Sequence, residues 1–155
     1  MPFLKTIKII GDVMKRISKY ITVILMFCVA VAALAADYRY VSQDTFKQWL
    51  ESGKKMVLVD IQPPADFAKR HFKGALETGA YPVKSDEEKK RLDGILNRIN
   101  TTQDDVVIVC PRGGGGAKNT WDYLAAKGIA VSRMFILEKG SEGWPYPELC
   151  VTGKE

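Results

Sequence analysis

Short, continuous apolar runs alternate with stretches of helical periodicity from about residue 38 onward. Five of these runs are predicted to be strands, at residues 38–41, 56–61, 76–80, 106–109 and 134–137. Strands that lack a polar face are typical of parallel sheets, which helices cover on both sides. The alternation therefore predicts an α/β fold with a central, mainly parallel, five-stranded sheet and helices on both of its faces.

Cap residues and apolar stripes predict the helices between these strands. Ser42 and Ser85 are suitable N-caps, and Pro64 suits the first turn of a short helix that ends near Arg70. Another helix follows the glycines after residue 112 and stops at Gly128. The apolar stripes are Phe46, Trp49 and Leu50, then Leu92, Ile95, Leu96 and Ile99, and finally Trp121, Leu124 and Ala125. Residues 71–75 are predicted to form a loop, residues 140–144 a short helical turn, and the chain from about 146 an extended, loosely attached C-terminal tail.

The first 36 residues have the pattern of an export signal. Lysines and an arginine precede residue 20, and residues 21–36 then contain no charge and finish in the small-residue stretch Ala33-Leu34-Ala35. We expect cleavage near Ala35, which leaves residues 37–155 as one domain. The uncharged run has 16 residues, fewer than the ~18–20 of a membrane-spanning helix. Export, for instance to a periplasm, is therefore the prediction, and a retained N-terminal membrane anchor is the alternative.

Charge gives little indication of a macromolecular partner. The whole chain has a formal net charge of +5. Segment 1–36 holds five of the 23 basic residues and one of the 18 acidic residues, so the remainder carries about +1. Nothing in this balance favours nucleic-acid binding. The remainder also keeps only two cysteines, Cys110 and Cys150, so its fold must rely on a hydrophobic core rather than on several disulfides.

Cys110 is the strongest chemical signal in the chain. It ends the apolar run 106–109 and precedes a predicted helix, and between them lies the loop Pro111, Arg112, Gly113, Gly114, Gly115 and Gly116. Glycines let several backbone N–H groups point inward, and the positive end of the helix dipole adds to their effect. Both favour a negatively charged sulfur, so the loop predicts a nucleophilic thiolate.

From about residue 41 to 145 the chain resembles a single-domain rhodanese, a family of sulfurtransferases. Four landmarks in the right order carry the resemblance: Val57-Leu58-Val59-Asp60-Ile61, Asp66-Phe67 with His71-Phe72-Lys73-Gly74-Ala75, the segment 106–116, and Leu137-Glu138-Lys139-Gly140 with Trp144. The chain departs from the family pattern at Gln62, Lys73, Gly115 and Lys139. Gly115 stands where the family loop often has an arginine that holds an anionic donor. Arg112 is the candidate to supply that charge, with Lys118 a weaker one; the competing interpretation of Arg112 is a solvated loop side chain.

The resemblance implies a function centred on Cys110. Its thiolate would take sulfane sulfur from thiosulfate or a polysulfide, and the resulting persulfide would pass the sulfur to cyanide, a thiol or a partner protein's cysteine. No metal or organic cofactor is expected. One alternative is a non-catalytic sulfur carrier or binding module. A redox role, with Cys150 as a resolving thiol, is another. A cysteine phosphatase is disfavoured because Gly116 stands where its anion-clamping arginine is needed.

Four other residues are predicted to be structural. Asp60 is expected to cap the backbone of a neighbouring loop, and His71 to be a hydrogen-bonded surface group. Trp121 and Trp144 are expected to be core residues.

Overall fold

The computed structural model describes residues 37–153, so the predicted signal peptide at 1–36 and its cleavage site near Ala35 lie outside the described residues. The described part of the chain has seven strands and four helices, which follow in the order β1 (Tyr40–Val41), α1 (Gln43–Glu51), β2 (Met56–Asp60), α2 (Pro64–Lys69), β3 (His71–Phe72), β4 (Leu76–Glu77), α3 (Asp86–Asn100), β5 (Asp105–Val109), α4 (Gly115–Ala126), β6 (Met134–Leu137) and β7 (Cys150–Val151). Single 3₁₀ turns lie at Val131–Arg133 and Pro147–Leu149. Within this described stretch, no helix has the length and apolar character that crossing a membrane requires.

The main sheet has five strands in the order β1-β6-β5-β2-β4, and every neighbouring pair is parallel. The prediction of a mainly parallel five-stranded sheet is confirmed. Strand β5 lies at its centre, and the side chains of 106–109 are fully buried. A strand that is covered on both faces has no use for a polar side, which is why these residues form an unbroken apolar run.

Helices cover both faces of this sheet, as predicted. The alternation of β5 sends Val106 and Ile108 to one face and Val107 and Val109 to the other. The first face packs against α3 and α4 through Leu92, Ile95, Ile99, Ala117, Trp121 and Leu124. The second packs against α1 through Phe46, with Phe72 and Trp144 completing an aromatic cluster.

Serine caps start two of the helices where the sequence places them. The Ser42 hydroxyl accepts a hydrogen bond from the Thr45 N–H at 3.2 Å. Ser85 and Glu88 form a reciprocal capping box, because the Ser85 hydroxyl accepts from the Glu88 N–H at 3.2 Å and the Glu88 carboxylate accepts from the Ser85 N–H at 3.1 Å. Both caps satisfy N–H groups that have no partner inside the helix.

The C-terminal segment differs from its prediction. Residues 71–75 were expected to form a loop and the chain from about 146 a loosely attached tail. Instead β3 and β7 pair as a separate antiparallel ribbon, in which Phe72 lies opposite Cys150. The Gly153 N–H also donates to the Ala68 carbonyl oxygen at 2.8 Å. Two-residue strands are too short for a sequence period to reveal. Residues 140–143 form hydrogen-bonded turns where a short helical turn was predicted, and the Gly143 N–H donates to the Lys139 carbonyl oxygen at 3.2 Å with helical spacing.

Candidate active site

The predicted glycine loop connects β5 to α4. Cys110 follows the last residue of β5, and its side chain lies on the face covered by α3 and α4, with 1% of the residue exposed. The connecting segment is shorter than the sequence indicated, because Gly114 is the N-cap of α4 and Gly115 and Gly116 already belong to its first turn. The sulfur thus lies at the carboxyl end of a central parallel strand and close to a helix N-terminus.

The backbone of Gly113 contacts the cysteine sulfur directly. Its N–H donates to the Cys110 Sγ, with a nitrogen–sulfur distance of 3.0 Å. Gly113 has a φ of +66°, and a Cβ there would lie 2.7 Å from the Leu137 carbonyl oxygen and 2.8 Å from the Lys139 nitrogen. Only glycine fits this conformation and this space, so the residue type is needed for the N–H to reach the sulfur.

The turn after β6 holds the cysteine loop from the other side. The Ser141 N–H donates to the Cys110 carbonyl oxygen at 2.9 Å, and the Glu142 N–H donates to the Pro111 carbonyl oxygen at 2.9 Å. Gly140, directly before these two residues, has a φ of +60°. A Cβ there would clash with the Cys110 carbonyl oxygen. The glycine in the Gly140 landmark therefore permits two backbone segments to touch.

A buried polar network supports the same turn. Asp60 accepts two hydrogen bonds from Gln62, one from the backbone N–H and one from the side-chain amide, both at 2.9 Å. The Ser141 hydroxyl donates to the Gln62 Oε1 at 2.7 Å. Burial raises the pKa of Asp60 to about 6, although the Gln62 hydrogen bonds and nearby His71 pull it down. Asp60 thus has the capping role that the sequence indicated, whereas the sequence gave no sign that Gln62 and Ser141 would join it.

His71 is not the surface group that was predicted. It is buried, its Nδ1–H donates to the Phe67 carbonyl oxygen at 2.9 Å, and its ring stacks on Phe67 with 3.8 Å between centroids. Its Nε2 has no hydrogen-bond partner among the residues that the structure describes. The two core predictions are confirmed, since Trp121 and Trp144 are both buried.

Arg112, the candidate anion-binding residue, lies on the exposed side of the loop. Its Nη2 donates to the Tyr81 hydroxyl at 3.2 Å. No sequence pattern indicated Tyr81, because an isolated tyrosine 31 positions from Arg112 gives no local signal. Lys118, the weaker candidate, points instead toward the Tyr38 ring, with 5.2 Å between its ammonium and the ring centroid.

The structure does not bring the two cysteines of the described chain together. Cys110 belongs to the apolar cluster beneath α3 and α4, whereas Cys150 packs against the cluster on the opposite face. Both are free thiols, and burial raises the pKa of Cys150. A resolving role for Cys150 stays a prediction that this arrangement does not support. Within residues 37–153, no group of three or more His, Cys, Asp or Glu residues is arranged to hold a metal ion.

Known structures share this fold at low sequence identity. A thiosulfate sulfurtransferase from Pseudomonas aeruginosa matches with a TM-score of 0.56 and 21% identity over 75% of this chain, which spans only 20% of that protein. An As-Sb reductase from Leishmania major matches with a TM-score of 0.57 and 14% identity, and the match covers 77% of this chain and 88% of the reductase chain. A rhodanese-like domain protein from Staphylococcus aureus matches with a TM-score of 0.53 and 23% identity, and the match covers 75% of this chain and 99% of that protein's chain.

Comparison with curated protein sequences gave no match. The family comparison is informative: the model of the rhodanese-like domain matches residues 42–145, which include the whole cysteine loop, the Asp60 strand and the Gly140 turn. This match covers more than half of the chain and agrees with the observed parallel sheet. The chain therefore belongs to the rhodanese-like domain family.

Proposed function

We propose that this protein is a sulfurtransferase that carries sulfane sulfur as a persulfide on Cys110. The observation that carries the proposal is the Gly113 N–H, aimed at the buried Cys110 sulfur from 3.0 Å. A hydrogen bond to a charged acceptor is worth about 1.5–3 kcal/mol. This donor stabilises the Cys110 thiolate, which is both the attacking group of the first half-reaction and the leaving group of the second.

The first half-reaction loads the cysteine. The Cys110 thiolate attacks the outer sulfur of the donor, a new sulfur–sulfur bond forms, and the donor's own sulfur–sulfur bond breaks. With thiosulfate, the bonding pair leaves with sulfite; with a polysulfide, it leaves with the shortened chain. The enzyme then holds a persulfide anion, and no external oxidant or reductant is consumed.

The second half-reaction transfers the sulfane sulfur from Cys110 to an acceptor. An acceptor thiolate or cyanide attacks the terminal sulfur of the persulfide, and the Cys110 thiolate leaves. The acceptor becomes a persulfide or thiocyanate. Because the two substrates react in turn with one sulfur, ping-pong kinetics are expected.

Burial of the sulfur restricts what reaches it. With 1% of Cys110 exposed, only a small reacting group can approach its sulfur. A donor with an unhindered terminal sulfur can reach Cys110 more easily than a donor with bulky substituents. Thiosulfate and inorganic polysulfide both have this shape, and the similar P. aeruginosa protein is a thiosulfate sulfurtransferase.

Export is part of the proposal and rests on the sequence of residues 1–36 alone. Expression in a bacterial host, followed by fractionation and N-terminal sequencing, tests it. A product that starts near residue 36 in the exported fraction supports cleavage. An intact chain in the membrane fraction supports the anchor, and an intact chain elsewhere contradicts both.

The decisive experiment treats the protein with thiosulfate or polysulfide and reads intact mass and turnover, with cyanide and dithiothreitol as acceptors. The expected result is a gain of about 32 Da, one sulfur, that maps to Cys110 and is absent from Cys110→Ser. Turnover should vanish in the same variant. Sulfur uptake without turnover would indicate the carrier alternative. No uptake from any donor would contradict the proposal and favour a binding module.

A further inference from the structure

The turn formed by residues 80–83 lies beside the cysteine loop and is anchored on two sides. The Tyr81 N–H donates to the Ile61 carbonyl oxygen at 2.8 Å, just beyond the end of β2. The Asn119 side-chain amide, from α4, donates to the Pro82 carbonyl oxygen at 3.1 Å. These contacts fix where the Tyr81 side chain begins relative to both the sheet and the helix.

The Tyr81 ring covers the first turn of α4. A Cβ at Gly116 would lie 2.9 Å from two of its ring carbons, so glycine is required beneath it. Beyond the ring, the hydroxyl accepts the hydrogen bond from Arg112 Nη2. At Gly115, by contrast, a Cβ would meet no atom within 4 Å, so the position of the family's loop arginine is open.

Arg112 is the only charged residue between Cys110 and Gly116. A guanidinium has five N–H donors, and the hydrogen bond to Tyr81 engages one of them. The remaining donors suit an oxyanion or an anionic sulfur chain, which they can contact in a forked geometry. A tethered guanidinium also loses less conformational freedom when an anion binds than a solvated one does.

We propose that Tyr81 is a positioning residue that holds the Arg112 guanidinium over the cysteine loop and so selects negatively charged sulfur donors. This inference rests on the proposed function and adds the donor class. Thiosulfate and inorganic polysulfide are favoured over uncharged organic trisulfides. Tyr81 and Arg112 together replace the loop arginine that the family often has at the position of Gly115.

The test begins with two matched variants. Tyr81→Phe removes the hydroxyl but keeps the ring over Gly116, so it separates the tether from the packing. Tyr123→Phe is the control, because its hydroxyl donates to Asp93 at 2.7 Å, in a contact between α3 and α4. Both variants lose one exposed tyrosine hydroxyl, and only the first loses the hydrogen bond to Arg112.

Sulfur-adduct formation on Cys110 is measured by intact mass with two donors. Thiosulfate leaves a persulfide on Cys110 and releases sulfite, whereas attack on uncharged dimethyl trisulfide leaves a methyl disulfide on Cys110 and releases methyl persulfide. Tyr81→Phe should raise the half-saturating thiosulfate concentration about 2–10-fold, with little change in the limiting rate, because the lost hydrogen bond is solvent-exposed and orients Arg112 without touching the donor. Dimethyl trisulfide kinetics and the Tyr123→Phe variant should be unchanged. In an Arg112→Ala background, Tyr81→Phe should have no further effect. Equal losses with both donors, or equal effects in both backgrounds, would overturn the proposal.

A second readout needs no sulfur transfer. Alkylation of Cys110 by anionic iodoacetate and neutral iodoacetamide, mapped by peptide mass spectrometry, reports how well the loop attracts an anion. Tyr81→Phe should lower the iodoacetate-to-iodoacetamide rate ratio about 2–10-fold. If the parent never gains sulfur, the proposed function fails while this ratio still decides the role of Tyr81. An unchanged ratio would refute the positioning role.

Discussion

Replacing Gly113 with alanine is the sharpest test of the cysteine loop. At a φ of +66°, any residue with a Cβ loses about 1–2 kcal/mol relative to glycine. The new Cβ would also lie within 2.8 Å of two backbone atoms, one from Leu137 and one from Lys139, which cannot rotate away. Forcing such a close contact apart costs about 1–3 kcal/mol, and the stiffer unfolded chain returns about 0.4–1 kcal/mol. We expect Gly113→Ala to lose about 2–4 kcal/mol of unfolding free energy.

Gly115→Ala is the matched control, two residues further along the same loop. Its Cβ would meet nothing within 4 Å, and its φ lies outside the left-handed region. Because Gly115 is already in the first turn of α4, alanine should be neutral or stabilising by up to about 1 kcal/mol. The two variants therefore make the same chemical change with opposite expected signs.

Thermal unfolding and persulfide formation are measured on both variants. For a domain of this size, about 4 °C of melting temperature corresponds to 1 kcal/mol, so Gly113→Ala should melt about 8–16 °C lower. Since the Gly113 N–H is displaced from the Cys110 sulfur, persulfide formation should slow about 10–150-fold. A Gly113→Ala protein within 1 kcal/mol of its parent, or indistinguishable from Gly115→Ala, would show that the loop does not depend on glycine at this position.

Three further outcomes follow from other parts of the structure. Burial gives Asp60 a folded-state pKa of about 6 against 3.8 in the unfolded chain, so the folded state holds this proton more tightly. Stability should fall by about 2 kcal/mol as pH rises from 4 to 6, and Asp60→Asn should remove that fall in urea unfolding across this range; equal pH slopes would contradict it. Ser85→Ala breaks the capping box and should lower the unfolding free energy by about 0.5–2 kcal/mol, whereas an unchanged melting temperature would show the cap to be dispensable. Because burial raises the pKa of Cys150, iodoacetamide should label it more slowly at neutral pH than an unfolded cysteine peptide, and equally fast labelling would count against that environment.

Local sequence patterns determined the order of the elements and the place of the candidate nucleophile, Cys110. The apolar run 106–109 predicts a doubly buried strand because a central parallel strand needs no polar face, and that is the role of β5. Ser85 followed by Glu88 predicts a helix start because the two side chains satisfy N–H groups only a few residues away. Cys110 before four glycines predicts a loop at a helix N-terminus for the same reason, since the backbone that forms it is contiguous.

Contacts between distant parts of the chain were decided by the tertiary structure. The Ser141 hydroxyl bonds to Gln62 across 79 positions, and β3 pairs with β7 through two residues on each side. Such pairs have no period and no spacing rule, so a single sequence cannot indicate them. The prediction of His71 at the surface failed because its burial depends on packing against Phe67 and on the ribbon that β7 completes.

The candidate active site shows the same division within one loop. The position of Cys110 at the end of a buried strand, with glycines directly after it, can be read from the sequence because these residues are adjacent in the chain. Only the folded chain decided which glycine is indispensable: Gly113 and Gly116 touch other segments, whereas Gly115 faces open space. It also placed Tyr81 beside Arg112, since that contact exists only once β2, β5 and α4 have packed together. A site formed by adjacent residues can thus be predicted from the sequence. A site assembled from separate segments can be identified only in the folded structure, because folding brings those segments together.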